Sequence, residues 1–162
     1  MKTNILIGLA AMLMGAWLNV AAAVYETTEP VDFTLVQLGG GDVAVSDYRG
    51  EWVVVNYWAT WCTPCVKEMP ELSALHEERD GVVVLGLAYE DVDDADFFEF
   101  LKKAPVSYPI LKVDVFDPPQ PFGAPKVLPT TIILDPTGKA VKTFLGPVTR
   151  ASIENYLERV SE

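Results

Sequence analysis

Residues 53–65 read Val-Val-Val-Asn-Tyr-Trp-Ala-Thr-Trp-Cys-Thr-Pro-Cys, and they contain both cysteines of the 162-residue chain, Cys62 and Cys65. The apolar, β-branched start of this stretch is typical of a buried strand. Small and polar residues follow it, and Pro64 is typical of the first turn of a helix. The sequence therefore predicts a strand that ends where a helix begins, with Cys62 at the N-terminus of the helix.

This placement gives Cys62 the setting of a reactive thiol. Unpaired backbone N–H groups and the helix dipole stabilise a thiolate at a helix N-terminus. The thiolate is the form that attacks disulfides, and Cys65 lies one turn further on, where its thiol can resolve the mixed disulfide. The stretch therefore indicates a dithiol that exchanges with disulfides.

Three other roles of a cysteine pair fit this chain less well. A structural disulfide between Cys62 and Cys65 closes a very short loop, and the stabilisation by a disulfide increases with loop length. A structural zinc site needs about four Cys or His ligands, whereas this chain has two Cys and one His. Covalent haem attachment needs a His directly after the second cysteine, and Val66 stands there. We expect no metal site, and we expect His76 on an exposed helix face without a role.

Length and composition indicate one exported domain. Half of the residues are hydrophobic, so the chain can bury one core of ordinary size. Residues 1–23 begin with a base, Lys2, continue with a long apolar stretch and end in Ala21-Ala22-Ala23, which is typical of a cleaved secretory signal peptide. A retained anchor is the alternative, because the stretch approaches the roughly 20 apolar residues of a spanning helix. Residues 24–162 are then a domain in the periplasm.

The charge balance disfavours nucleic acid as a partner. Without residues 1–23 the chain has 11 Lys plus Arg against 23 Asp plus Glu, which is a net charge of −12. The acids concentrate in residues 90–96, which we interpret as a solvated loop and helix start. A docking surface for a basic partner is the alternative interpretation of this run.

Periodicity and turn residues predict an α/β domain. A hairpin around Gly39-Gly40-Gly41 comes first, and further strands are expected at 52–58, 82–88, 130–134 and 140–144. Helices are expected at 64–79, 93–103 and 149–160, and residues 114–126 are interpreted as a Pro-rich loop. The alternation of strands and helices implies a parallel core to the sheet.

Several separated motifs together resemble one family. They are residues 56–65, then Glu68-Met69-Pro70, and far downstream Leu128-Pro129-Thr130-Thr131 followed by Asp135-Pro136-Thr137-Gly138. In these motifs the chain resembles thioredoxin-fold proteins of the TlpA/ResA type, which are extracytoplasmic thiol-disulfide oxidoreductases. The resemblance implies a central mixed β-sheet flanked by helices, an N-terminal β-hairpin, and an insertion before the strand that follows a cis-proline.

The resemblance also implies roles for the matching residues. Cys62 corresponds to the attacking thiolate and Cys65 to the resolving thiol, so their own disulfide serves in place of a cofactor. Pro129 corresponds to the cis-proline, and the backbone of Leu128 corresponds to the position that pairs with an extended substrate segment. From the residues alone, Pro129 would be an ordinary proline at the start of a strand.

Glu68 is a candidate proton acceptor. Where thioredoxin has a buried Asp in the central strand, this chain has Asn56, which cannot titrate. Glu68 lies three residues beyond Cys65, on the neighbouring helix face, and it matches the acid that the family places near the active site. A partly buried carboxylate has a raised pKa and would take the proton from Cys65. The alternative is a Glu that only complements the helix dipole.

The residues around Cys62 are candidates for substrate contact. Trp61 is expected on the surface beside Cys62, whereas Trp58 fits either that surface or the core. Thr63 and Pro64 help to set how well the thiolate is stabilised. Their Thr-Pro pair resembles reducing family members more than the Pro-His pair of the strong oxidant DsbA, which indicates a more reducing couple.

These observations predict a monomeric protein-disulfide reductase. The resemblance implies a membrane thiol electron donor of the DsbD/CcdA kind, and clients with disulfides such as apocytochrome c or metal-site assembly proteins. Two alternatives use the same cysteines: a disulfide oxidase or isomerase, and a metallochaperone that binds Cu(I) through two thiolates. A copper carrier needs a further ligand, and His76 is badly placed to supply it.

Overall fold

The computed structural model describes residues 25–161, so the expected signal peptide at residues 1–23 lies outside the described part. The elements in chain order are β1 (Thr34–Val36), β2 (Asp42–Ala44), β3 (Trp52–Trp58), α1 (Thr63–Glu78), β4 (Val82–Ala88), α2 (Asp94–Leu101), β5 (Ile110–Lys112), β6 (Thr130–Leu134), β7 (Ala140–Leu145) and α3 (Arg150–Ser161). A 3-10 helix, Val45–Tyr48, follows β2. Within residues 25–161 there is no helix with the length and apolar character needed to cross a membrane.

The main sheet is mixed, with strand order β5-β4-β3-β6-β7. Strands β3, β4 and β5 are parallel to one another, whereas β6 and β7 are antiparallel to their neighbours. The expected parallel core is therefore limited to three strands, and helices flank the sheet. This architecture is thioredoxin-like, as the resemblance implies.

Strand β3 is the central strand of the sheet. Both of its faces are buried, and its sequence is accordingly almost continuously apolar. Successive side chains point to opposite faces, and they enter two separate clusters. Val54 and Trp58 pack with Leu72 of α1 and Leu157 of α3. The other face carries Val53, Val55 and Tyr57, packed with residues from outside the main sheet and helices, including Val31, Val45 and Phe122. The N-terminal segment and the insertion thus form a second core.

Strand β5 and its attachment to the hairpin were not anticipated. Ile110–Lys112 pairs with β4 in parallel, and the N–H of Leu38 donates to the carbonyl oxygen of Ile110 at 2.8 Å. The strand has three residues, too few for a periodic signal of its own, and its position depends on its neighbours in the sheet. The hairpin itself is confirmed, with Leu35 opposite Val43.

The expectation that His76 lies on an exposed helix face is wrong. The side chain is half-buried, and its Nδ1 accepts a hydrogen bond from the N–H of Val84 at 3.2 Å. Burial lowers the pKa of His76, and its ring packs edge-on against Tyr108. The reason is helical periodicity, because residues separated by four positions share one face of α1. His76 is four residues after the buried Leu72, so it also faces the interior.

Candidate active site

Strand β3, a short loop and helix α1 place the cysteine pair as expected. Cys62 is the N-cap of α1, directly before Thr63, and Pro64 lies in the first turn. Cys62 and Cys65 are joined by a disulfide, and both are buried. Cys62 Sγ accepts a hydrogen bond from the N–H of Cys65 at 3.3 Å. The nucleophile candidate is therefore at the end of α1 where backbone N–H groups and the dipole favour a thiolate.

The loop before Cys62 is held by Glu90, the first acid of the run 90–96. The N–H of Thr60 donates to Glu90 Oε1 at 2.7 Å, and the Thr60 hydroxyl donates to Oε2 at 3.0 Å. The interpretation of residues 90–96 as solvated is therefore wrong for Glu90, which is half-buried. The available signal was its position just after β4, because neighbouring parallel strands end at the same edge of a sheet.

Glu68 is almost completely buried, with 2% of its surface exposed. Its Oε1 accepts a hydrogen bond from Asn56 Nδ2 at 2.8 Å, and its Oε2 accepts one from the N–H of Val148 at 2.7 Å. Burial raises the pKa of Glu68 to about 7, although the hydrogen bonds from Val148 and Asn56 act in the opposite direction. The side chain is thus a carboxyl group that titrates near neutral pH.

Three elements hold this carboxyl group. Glu68 belongs to α1, Asn56 belongs to β3, and Val148 lies in the loop that leads to α3. The amide of Asn56 also donates to Thr131 Oγ1 at 3.0 Å, and Thr131 lies opposite Asn56 in the sheet. Cys65 and Glu68 lie three residues apart on α1, and both are buried. The network therefore fixes a titratable group on the same side of α1 as Cys65.

The Leu128-Pro129 bond is cis, as the resemblance implies. Thr130, the next residue, lies opposite Tyr57 in the antiparallel pair of β3 and β6. Pro129 is therefore beside the end of β3 that leads to Cys62. Pro129 is buried, and Leu128 is half-buried.

The other candidates for substrate contact divide between surface and core. Trp61, Thr63 and Pro64 are exposed, with 69% of Trp61 accessible. Trp58 is fully buried, and its ring stacks on Phe100 at a centroid distance of 5.6 Å. The structure therefore assigns Trp58 to the core and leaves Trp61 as the large aromatic surface beside Cys62. Among residues 25–161, no group of three or more His, Cys, Asp or Glu side chains is arranged to hold a metal ion.

Comparison with known proteins identifies the family. The model of the AhpC/TSA family matches residues 28–144. The thiol-disulfide oxidoreductase ResA of Geobacillus kaustophilus is 34% identical over 143 residues, which cover 86% of this chain and 79% of the relative. ResA of Bacillus subtilis is 28% identical over 146 residues, covering 85% and 77% respectively.

Solved structures agree with the sequence relatives. A DsbF homologue from Corynebacterium diphtheriae has a TM-score of 0.69 and 29% identity, over 81% of this chain and 85% of that chain. A secreted thiol-disulfide isomerase from Corynebacterium glutamicum has a TM-score of 0.67 and 29% identity, over 78% and 81%. The shared fold and the Cys62–Cys65 pair agree with these relatives, and the chain belongs to the AhpC/TSA family as a ResA-like thiol-disulfide oxidoreductase.

Proposed function

We propose that the protein is an extracytoplasmic reductant of disulfides in client proteins. The observation that carries this proposal is Glu68, a buried carboxyl group with a pKa of about 7 on the same helix as the resolving cysteine. An apolar N-terminal stretch of the signal-peptide kind and a similar protein described as secreted support the location. The proposed electron donor is a membrane thiol protein of the DsbD/CcdA kind.

The reaction would begin with the Cys62 thiolate. It attacks one sulfur of the client disulfide, a Cys62–client bond forms, and the client's other sulfur leaves as a thiolate that takes up a proton. Cys65 then transfers its proton to the Glu68 carboxylate and attacks Cys62 Sγ. The second client sulfur leaves and is protonated, while Cys62 and Cys65 form their disulfide. Two electrons thus pass from the dithiol to the client, and the membrane donor restores the dithiol.

The surface around Cys62 would bind the client. Trp61 offers an exposed aromatic face, and Thr63 and Pro64 expose the first turn of α1. Leu128 would pair through its backbone with an extended client segment, next to the buried Pro129. Disulfides of apocytochrome c or of metal-site assembly proteins are the proposed clients.

An isomerase is the second candidate, because a structure 29% identical to this chain is described as a secreted thiol-disulfide isomerase. The two functions use the same cysteines but differ in the reduction potential that suits them. A reductant needs a couple near that of thioredoxin, about −270 mV, whereas protein disulfide isomerase is near −180 mV and the oxidant DsbA near −120 mV.

The experiment that separates these functions is a measurement of the reduction potential of residues 24–162. The protein is equilibrated in dithiothreitol and glutathione buffers, and the free thiols of Cys62 and Cys65 are counted. We expect a value near or below that of thioredoxin. A value near that of protein disulfide isomerase, about −180 mV, would favour the isomerase, and a value near that of DsbA would reverse the direction of electron flow. Either value would overturn the proposal.

A further inference from the structure

The carboxylate of Glu90 accepts hydrogen bonds from both donors of Thr60. Its two oxygens accept hydrogen bonds from the backbone N–H, at 2.7 Å, and from the hydroxyl, at 3.0 Å. Glu90 can reach Thr60 because β3 and β4 remain paired beyond their ends, where the N–H of Tyr89 donates to the carbonyl oxygen of Trp58 at 2.8 Å. An arrangement with both oxygens engaged fixes orientation as well as distance.

Thr60 in turn belongs to the turn that ends on the nucleophile candidate. The N–H of Cys62 donates to the carbonyl oxygen of Ala59 at 3.1 Å, which closes a four-residue turn with Thr60 and Trp61 at its centre. Glu90 therefore restrains the backbone that positions Cys62 at the start of α1. Thr60 is only half-buried. Without Glu90 its N–H and hydroxyl would bind water instead, and the turn could adopt other conformations.

The same carboxylate places a negative charge at the turn that leads into α1. None of the ion pairs found among residues 25–161 includes Glu90. The charged groups on the surrounding surface are Asp91, Asp96, Glu99, Lys103, Lys112 and Asp114. Lys112 pairs with Asp94 at 2.7 Å, and Glu99 pairs with Lys102. The buried Glu68 lies further along α1, so the surroundings of Cys62 are acidic on balance.

We propose that Glu90 is a positioning residue for the dithiol, which holds the turn before Cys62 through Thr60 and whose negative charge makes the pair a stronger reductant. The negative charge of Glu90 changes the free energy of the reduced form alone, because the thiolate is charged and the disulfide is not. Reduction of the disulfide consumes two electrons and yields the Cys62 thiolate and the Cys65 thiol with one proton, or both thiols with two protons. A nearby carboxylate disfavours the thiolate, so the dithiol gives up its electrons more readily.

This inference rests on the proposed redox role of Cys62, but it does not depend on the client or on the net direction of electron flow. It is tested with Glu90→Gln, because glutamine keeps an acceptor for the Thr60 N–H and removes the charge. Asp91→Asn is the matched control, since it removes the same charge one residue away without touching Thr60. Thr60→Val keeps the charge of Glu90 and removes one of the two hydrogen bonds.

The readouts are the equilibrium with glutathione and the pH titration of the Cys62 thiolate by its ultraviolet absorbance. For Glu90→Gln we expect the equilibrium to shift about threefold to tenfold towards the dithiol, which is about +15 to +30 mV. The pKa of the Cys62 thiol should fall by about 0.5 to 1 unit. Asp91→Asn should shift the equilibrium by less than about twofold, because the solvent screens an exposed charge.

For Thr60→Val we expect an unchanged potential and a slower attack by Cys62, since only the position of the turn is disturbed. A Glu90→Gln variant with the potential and thiol pKa of the parent protein would overturn the inference. An equal shift in Asp91→Asn would overturn it as well, because the effect would then belong to the general acidity of the surface. An oxidising potential in the parent protein would refute the proposed reductant without affecting this comparison.

Discussion

Replacement of Glu68 by Gln tests whether burial raises the pKa of this carboxyl group. The pKa of Glu68 rises from 4.5 to about 7 because the carboxyl group is buried, and this difference corresponds to about 3 kcal/mol. Gln has a similar shape and does not titrate. Its oxygen can accept the hydrogen bond from Val148, and its amide can pair with Asn56 if the amide of Asn56 turns over. The substitution thus removes the titration and keeps the packing.

The sign of the effect on stability follows from proton binding. Between about pH 4.5 and about pH 7 the folded protein holds the Glu68 proton more tightly than the unfolded chain, so the free energy of unfolding falls as the pH rises. The parent protein should therefore lose about 3 kcal/mol relative to Glu68→Gln across this interval, with no further change above it. Urea unfolding of the oxidised protein at several pH values measures this difference, because the disulfide keeps the cysteines from titrating.

Glu77→Gln is the control for this experiment. Glu77 lies on the same helix but is exposed, so its replacement should keep the fall of about 3 kcal/mol that Glu68 causes. Any small change should come from His76, because the charge of Glu77 acts to raise the pKa of that side chain. Other groups such as His76 titrate in both proteins and cancel in the comparison. Parallel curves of stability against pH for the parent protein and Glu68→Gln would refute the claim that burial raises the pKa of this carboxyl group.

As a second readout, resolution of a mixed disulfide by Cys65 should be about a hundredfold slower in Glu68→Gln and should lose its pH dependence near 7.

Two further predictions concern packing and substrate contact. Gly86→Ala should destabilise the protein by about 1 to 3 kcal/mol in urea unfolding, because a Cβ atom there would lie 2.7 Å from Ile110 Cδ1 and 2.9 Å from Tyr108 Cε2; stability equal to the parent would show that these side chains move aside freely. Trp61→Ala should change stability by less than about 0.5 kcal/mol, since the side chain is exposed. It should lower kcat/KM for a protein client at least about tenfold, while reduction of a small disulfide that does not reach Trp61 continues at the parent rate; equal losses on both substrates would contradict a client-binding role.

The elements that the sequence predicts well are those with strong local signals. The run 82–88 is apolar throughout and the run 52–58 is apolar except for Asn56, and both are strands with these bounds. Helix α1 was expected at 64–79 and is Thr63–Glu78, because Pro64 and the strand before it mark its start. In these segments the local preference and the tertiary environment agree, so the sequence alone was sufficient.

The features that the sequence did not predict depend on contacts between distant residues. Strand β5 has three residues and is defined by its pairing with β4. Glu90 is one acid in a run of acids, and only the fold brings it to Thr60, thirty residues earlier. The burial of His76 depends on which face of α1 packs against the sheet. In each case the decisive partner is distant in sequence, so the placement follows only once the packing of the strands and helices is known.

The environment of Glu68 explains why an amide occupies the central strand. The carboxyl group accepts hydrogen bonds from Asn56 and Val148, which lower its pKa, while burial raises it more, and the balance is about 7. An Asp in place of Asn56 would put two carboxyl groups within hydrogen-bonding distance, and they could not both ionise. Asn instead donates one N–H to Glu68 and one to Thr131. The amide on β3 therefore lets the acid on α1 titrate without a second carboxyl group beside it, so the residues at positions 56 and 68 form one hydrogen-bonded pair.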